Sequence, residues 1–287
     1  MQEHSFFLRQ RLSRLLAAGA LLLAVLALGS CSVAAAQAPP SSSQVALNSL
    51  PDAPQPQSVD PPRSPQSEDV AVRNSPRIFL HDEAAIWTSP VRLRTRDLEW
   101  LVPLTLVTGA AIATDHRTLL KVVSHNAGFN NANINTSNVL IGGLIATPVV
   151  LFAAGQIRQD GHAREAGILG GEAMADGLVV QQVLKLAFWR ERPGVDSSRG
   201  RFFQSSAGID SSFPSAHSTL AWSAASAIAT EYNSPWVQVA AYSGATAVSL
   251  TRVLGQEHFP SDVLVGATAG WLIGHYVVKK HHKIRLK

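Results

Sequence analysis

The chain has 287 residues, 46% hydrophobic and only 15% charged, against a typical soluble share of about a quarter charged, so it either buries a large core or sits in a bilayer. The net charge of +4 is not gathered into a long stripe, which argues against a nucleic-acid partner. A single cysteine, Cys31, excludes an internal disulfide and any cysteine-based metal cluster.

In chain order, Arg9, Arg11 and Arg14 come first, followed by the apolar run LLAAGALLLAVLALGSCSVAAAQA. A basic start, an apolar core and small residues predict an export signal or N-terminal anchor over residues 1–36. Leu28-Gly29-Ser30-Cys31 resembles a bacterial lipobox, which would make Cys31 the acylated first residue. Cleavage after Ala36 and an uncleaved anchor are the rival readings. Residues 37–76, with PQPQ and PPRSP, read as a disordered linker that cannot bury a core. Residues 77–97 mix apolar and charged positions and suit one or two short amphipathic helices on a surface.

Six apolar segments follow, at roughly 98–114, 138–157, 164–188, 217–232, 235–251 and 262–278. They lack strand-like alternation, so the expected class is all-α: a six-helix, membrane-integral bundle over 98–280, with its site at helix ends and one long loop. The second segment has the length and apolarity of a membrane span, and the first and sixth are plausible ones. The third carries Glu172, Asp176, Gln181, Gln182 and Lys185, and the fourth and fifth are rich in Ala and Ser. These three suit helices packed on each other through small residues. Residues 116–136 read as a polar, Asn-rich loop, and 189–212 as the longest connection inside the domain, where function tends to concentrate. The tail KKHHKIRLK reads either as a solvated end or as an anchor beside anionic lipid.

Three blocks carry chemistry. Lys185 and Arg192-Pro193 are seven apart, which puts both cations on one face if the helix continues. Pro214-Ser215-Ala216-His217 opens the fourth segment, with Pro214 suited to a first helical turn whose N–H groups, with the Ser215 hydroxyl, would face an anion. Thr251-Arg252 precedes His258 and Asp262, four residues apart. A lysine and two arginines suit a phosphate dianion. Two histidines can divide nucleophile and acid, and a carboxylate can fix one imidazole's tautomer. Taken singly, each block has a plain structural reading as a charge pair or a hydrogen bond. Arg190, Arg199 and Arg201 read as surface charge, with contacts to an anionic head group as the sharper alternative. His116, His125 and His162 fit no block, and His281 and His282 carry no metal signal by themselves.

Together the blocks resemble the three-part signature of the type 2 phosphatidic acid phosphatases, whose superfamily also holds bacterial acid phosphatases and vanadium haloperoxidases. All three spacings match, and the resemblance covers roughly 98–280; Ala216 stands where that family usually has Gly and Thr251 where it usually has Ser. The resemblance implies metal-independent hydrolysis of a phosphate monoester or diphosphate, with no cofactor, most often on a membrane lipid. It implies that His258 attacks phosphorus, Asp262 orients His258, and His217 protonates the leaving alcohol and then activates water. Lys185, Arg192, Ser215, the Ala216 N–H and Arg252 would bind the phosphoryl oxygens. A soluble periplasmic acid phosphatase, a vanadium-dependent haloperoxidase and a non-catalytic envelope protein are the other readings.

Sidedness is divided at this level. Arg92, Arg94 and Arg96 before the first segment and the basic tail after the last favour a cytoplasmic placement of both, with the site facing the periplasm. An export signal followed by six spans would put the site inside. The expected location is a bacterial envelope membrane with an outward site; a soluble or lipid-anchored periplasmic domain is the alternative.

Overall fold

The computed structural model describes residues 75–285; residues 1–36, read as an export signal or anchor, with Cys31 among them, and residues 37–74 of the stretch read as a linker lie outside the described residues. Seven α-helices and short 3-10 turns make up the described part, with no strand among the described residues. They are α1 (Ser75–Thr88), α2 (Leu98–Lys121), α3 (Ala127–Arg158), α4 (Gly161–Phe188), α5 (Ala216–Tyr232), α6 (Pro235–Leu254) and α7 (Pro260–Arg285). The six apolar segments are the cores of α2 to α7, and the all-α class holds.

Local chemistry sets the helix ends. Asn126 caps α3 by accepting from the Phe129 N–H at 3.0 Å, and Asp160 caps α4 by accepting from His162 and Ala163. Pro235 stands in the first turn of α6, where its missing N–H costs nothing. Gln159, Trp189 and Asn233 close α3, α4 and α5 in the left-handed region.

One sequence expectation fails here. The stretch 116–136 is not a loop: α2 runs to Lys121 and α3 begins at Ala127, so only residues 122–126 connect them. The asparagines that suggested a loop serve the helix instead, Asn126 as its cap and Asn133 by donating to the Phe129 carbonyl. Helix α4 ends at Phe188, in line with the apolar segment 164–188 and the connection from 189, so the condition for Lys185 and Arg192 to share one helical face is not met. Trp189 turns left-handed with its N–H on the Lys185 carbonyl, and Arg192 lies in the following loop.

Helix α5 is the centre of the bundle. Ala221, Ala224, Ala225, Ala227 and Ala229 are all at most 1% exposed. One core cluster joins Leu169 and Ala173 of α4 to Ala227 of α5 and Val277 and Val278 of α7; another joins Ile141 of α3 to Ala221 and Ala225 of α5 and Val248 of α6. The α5–α7 contact is nearly backbone on backbone. A Cβ added to Gly270 would stand 2.2 Å from the Thr219 carbonyl oxygen, where no side chain can yield. Gly270→Ala is therefore expected to cost about 1–3 kcal/mol by overpacking, read as a lowered thermal midpoint. Gly171→Ala, with nothing within 4 Å, should lose no stability.

The outer helices present the opposite surface. Leu106 and Val107 of α2 and Val139, Val149, Val150 and Ile157 of α3 are all more than half exposed. One described helix, α3, is long and apolar enough to cross a membrane.

Candidate active site

The starts of α5 and α7, the ends of α4 and α6, and the 189–215 loop converge. Lys185 stands in the last turn of α4, His217 in the first turn of α5, Arg252 in the last turn of α6 and Asp262 in the first turn of α7. His258 lies in the short connection between α6 and α7, its N–H on the Arg252 carbonyl. Arg192 comes from the long loop. The charges of Lys185, Arg192 and Arg252 all bear on both His217 and His258, so the structure brings the three blocks to one place.

His258 is 1% exposed. Its Nδ1 lies 3.5 Å from Asp262 Oδ2 and 3.4 Å from Ser212 Oγ. Ser212 donates its one proton to Asp262 Oδ2 at 2.6 Å, so both atoms facing Nδ1 are acceptors. That arrangement places the imidazole proton on Nδ1 and the lone pair on Nε2. Burial, and after it the charges of Arg192, Lys185 and Arg252, hold His258 well below the usual imidazole range. The ring is neutral at neutral pH.

Asp262 is fully buried and heavily supported. Its Oδ2 also accepts from the Phe259 N–H at 2.9 Å, and its Oδ1 from Arg190 Nη1 at 2.6 Å. Arg190 corrects the reading of surface charge: it is 1% exposed. It pairs with Asp262 and, at 2.7 Å, with Asp115 of α2, also donates to Ser261 Oγ, and lies between the rings of Phe202 and Phe259. Arg199 and Arg201 are exposed, and Arg201 pairs with Asp196 at 2.9 Å.

The phosphate-side residues are held as follows. Lys185 Nζ donates to the Ser211 carbonyl. Glu257 bridges two arginines with one oxygen, 2.8 Å from Arg192 Nη1 and 3.0 Å from Arg252 Nη2. Arg192 also donates to the Asp210 carbonyl, and Arg252 to Ser137 of α3. Ser215 is the N-cap of α5, its Oγ accepting from the Ser218 N–H, and Ala216 is the first helical residue. Pro214 thus precedes the cap instead of opening the helix, because Ser215 supplies the acceptor that starts it. His217 Nε2 lies 3.2 Å from Asn138 Oδ1 of α3.

Sequence reasoning missed Arg190, Asp115, Ser212, Asn138 and Glu257. Arg190 and Glu257 adjoin the blocks, so their place beside motif residues was a usable signal. Asp115, Ser212 and Asn138 reach the site only through the fold. His116 and His162 make structural contacts, to the Ser198 carbonyl and to Glu231.

The PAP2 superfamily model matches residues 165–286. The lipid A 1-phosphatase of Porphyromonas gingivalis is 40% identical over 65 residues, 22% of this chain; the match spans only 15% of that protein's length. The crystal structure of a transmembrane PAP2-type phosphatidylglycerolphosphate phosphatase from Bacillus subtilis is 22% identical, with a TM-score of 0.45, and the alignment covers 75% of this chain and 96% of that one. The matched stretch 165–286 contains Lys185, Arg192, Ser215, Ala216, His217, Arg252, His258 and Asp262, and over that stretch the chain is similar to the PAP2 superfamily.

Proposed function

We propose that this protein hydrolyses a phosphate monoester or diphosphate on a membrane lipid, through a phosphohistidine on His258. The observation that carries the reading is the state of His258: neutral, its proton held toward Ser212 and Asp262, in the field of three cations. A neutral imidazole with a free Nε2 is a nucleophile, and Lys185, Arg192 and Arg252 would take the charge that builds on the phosphoryl oxygens. Asp262 stabilises the ring as it becomes cationic.

His217 is the acid of the first step. A bound phosphate dianion offsets the cations around it and favours the imidazolium that protonates the leaving alcohol. The same ring, then neutral, takes a proton from the water that attacks phosphohistidine. The N–H groups at the start of α5, including that of Ala216, supply further donors. None of these steps calls for a metal or cofactor.

The membrane part of the proposal rests on the exposed apolar side chains of α2 and α3 and on the length of α3. The Porphyromonas gingivalis relative is named a lipid A 1-phosphatase. The basic residues before α2 and after α7 favour a cytoplasmic placement for both, with the site on the outer side.

The test is phosphate release from dioleoyl phosphatidic acid in mixed micelles at room temperature, with EDTA present. Release that persists in EDTA is the expected result. Absence of release from this lipid and from a panel of lipid phosphates and diphosphates would overturn the reading.

A further inference from the structure

A second group of ionisable side chains lies far from the site. Asp82 of α1, Glu172 of α4 and His281 of α7 are all buried, at 0%, 7% and 4% exposure. Each offers a ligand atom, and these atoms lie within 4.8 Å of one another. His281 Nε2 is 3.3 Å from Asp82 Oδ2, close to the spacing of about 3.4 Å that two ligands take around a tetrahedral Zn2+ at about 2.1 Å.

Carboxyl groups outnumber cations around this group. Both oxygens of Glu172 are buried without a hydrogen-bond partner, while Asp176, one turn further along the same face of α4, has Glu83 for a neighbour. Glu83, next to Asp82, turns its carboxyl group toward Asp176 while its other oxygen accepts from Trp87. Against four carboxyl groups stand Lys280, whose ammonium pairs with Asp82 Oδ1, and His281. Buried carboxylates without a countercharge are costly, and a divalent cation supplies the charge that Lys280 leaves short.

We propose that Asp82, Glu172 and His281 bind a divalent transition-metal ion, with Asp176 as a nearby carboxylate. One imidazole nitrogen with carboxylate oxygens is a ligand set for Zn2+ or Mn2+. Asp82 is divided between its neighbours: Oδ1 takes Lys280, and Oδ2 faces His281 and the ion. The role is structural. Glu172 is thirteen residues before Lys185 on α4, about 20 Å along the helix axis, so the ion does not reach the phosphate. It ties the lead-in helix α1 to the bundle by joining three helices that carry its ligands.

The test uses the untagged full chain in detergent, stripped with EDTA and desalted, with Zn2+ as the probe. One equivalent of Zn2+ should be retained on gel filtration. The thermal midpoint should rise by roughly 5–10 °C when free Zn2+ is about a hundredfold above Kd. Glu172→Gln should lose both the equivalent and the rise, yet without metal be at least as stable as the parent, since an amide replaces an uncompensated carboxylate. His281→Gln gives the same readout should the first variant fail to fold. Turnover at room temperature should change less than twofold on stripping, which separates this site from the catalytic one. Zn2+ retained equally by Glu172→Gln would overturn the proposal. So would a wild-type chain that retains less than a tenth of an equivalent and shows no rise; the carboxyl groups would then be neutralised by protons.

Discussion

Replacing His258 with alanine is expected to lower phosphate release by at least about a thousandfold, because the covalent path is lost and the binding groups alone remain. The stability of the variant should change little by comparison: the ring makes long contacts to Ser212 and Asp262, and both of those keep their own partners. The check is paired, a steady-state rate beside a thermal midpoint. Rapid quench with a radiolabelled lipid phosphate should trap an acid-labile, alkali-stable phosphoenzyme in the parent and none in His258→Ala. A His258→Ala protein that retains more than a tenth of the rate would remove the nucleophile from the proposed mechanism.

The second large effect falls on Arg190. Its guanidinium serves Asp115 through one nitrogen and Asp262 and Ser261 through another, with a phenyl ring on each side. Arg190→Ala leaves two buried carboxylates without their countercharge and is expected to cost about 3–5 kcal/mol, read in thermal or chemical unfolding. Arg190→Lys should recover only part of it, because a single ammonium cannot fork between two carboxylates or stack between rings. In whatever Arg190→Lys protein folds, the rate should fall as well, since the carboxylate facing His258 has lost its fixed partner. An Arg190→Ala chain as stable as the parent would show that the buried pairs contribute nothing net.

The helical class was legible because six apolar stretches with turn signals between them admit no other period. The residues of the three blocks were legible because their spacings are local. What escaped was everything set by distance in the chain. Arg190 looks like one more loop arginine until Asp115 and Asp262, 75 and 72 residues away, are folded onto it. Asn133 and Asn126 suggested a loop because asparagine competes with helical hydrogen bonding, yet the same chemistry at a helix start is a cap. The helix carrying Lys185 ends at Phe188, where its apolar segment was read to end, but nothing in Phe188-Trp189-Arg190 announces the left-handed residue that turns Arg192 into the loop. His281 had no meaning as a ligand without Asp82, 199 positions earlier, on a helix at the other end of the described chain.

The contact between α5 and α7 also fixes a tolerance. Gly266, Gly270 and Gly274 meet Ser215 and Thr219, then Thr219 and Ser223, then Ser223 and Ala227, so the two helices run in the same direction with their starts side by side. His217 stands at one start and Asp262 at the other, and the Ser215 N–H spans the gap to the Asp262 carbonyl at 3.1 Å. The clearance between the proposed acid and the carboxylate facing the proposed nucleophile is therefore gauged by main-chain atoms in contact. Side-chain repacking can be absorbed elsewhere in the bundle, but along this seam a single added methyl group acts as a shim, and its thickness is passed on at full size to the two groups whose alignment the chemistry needs.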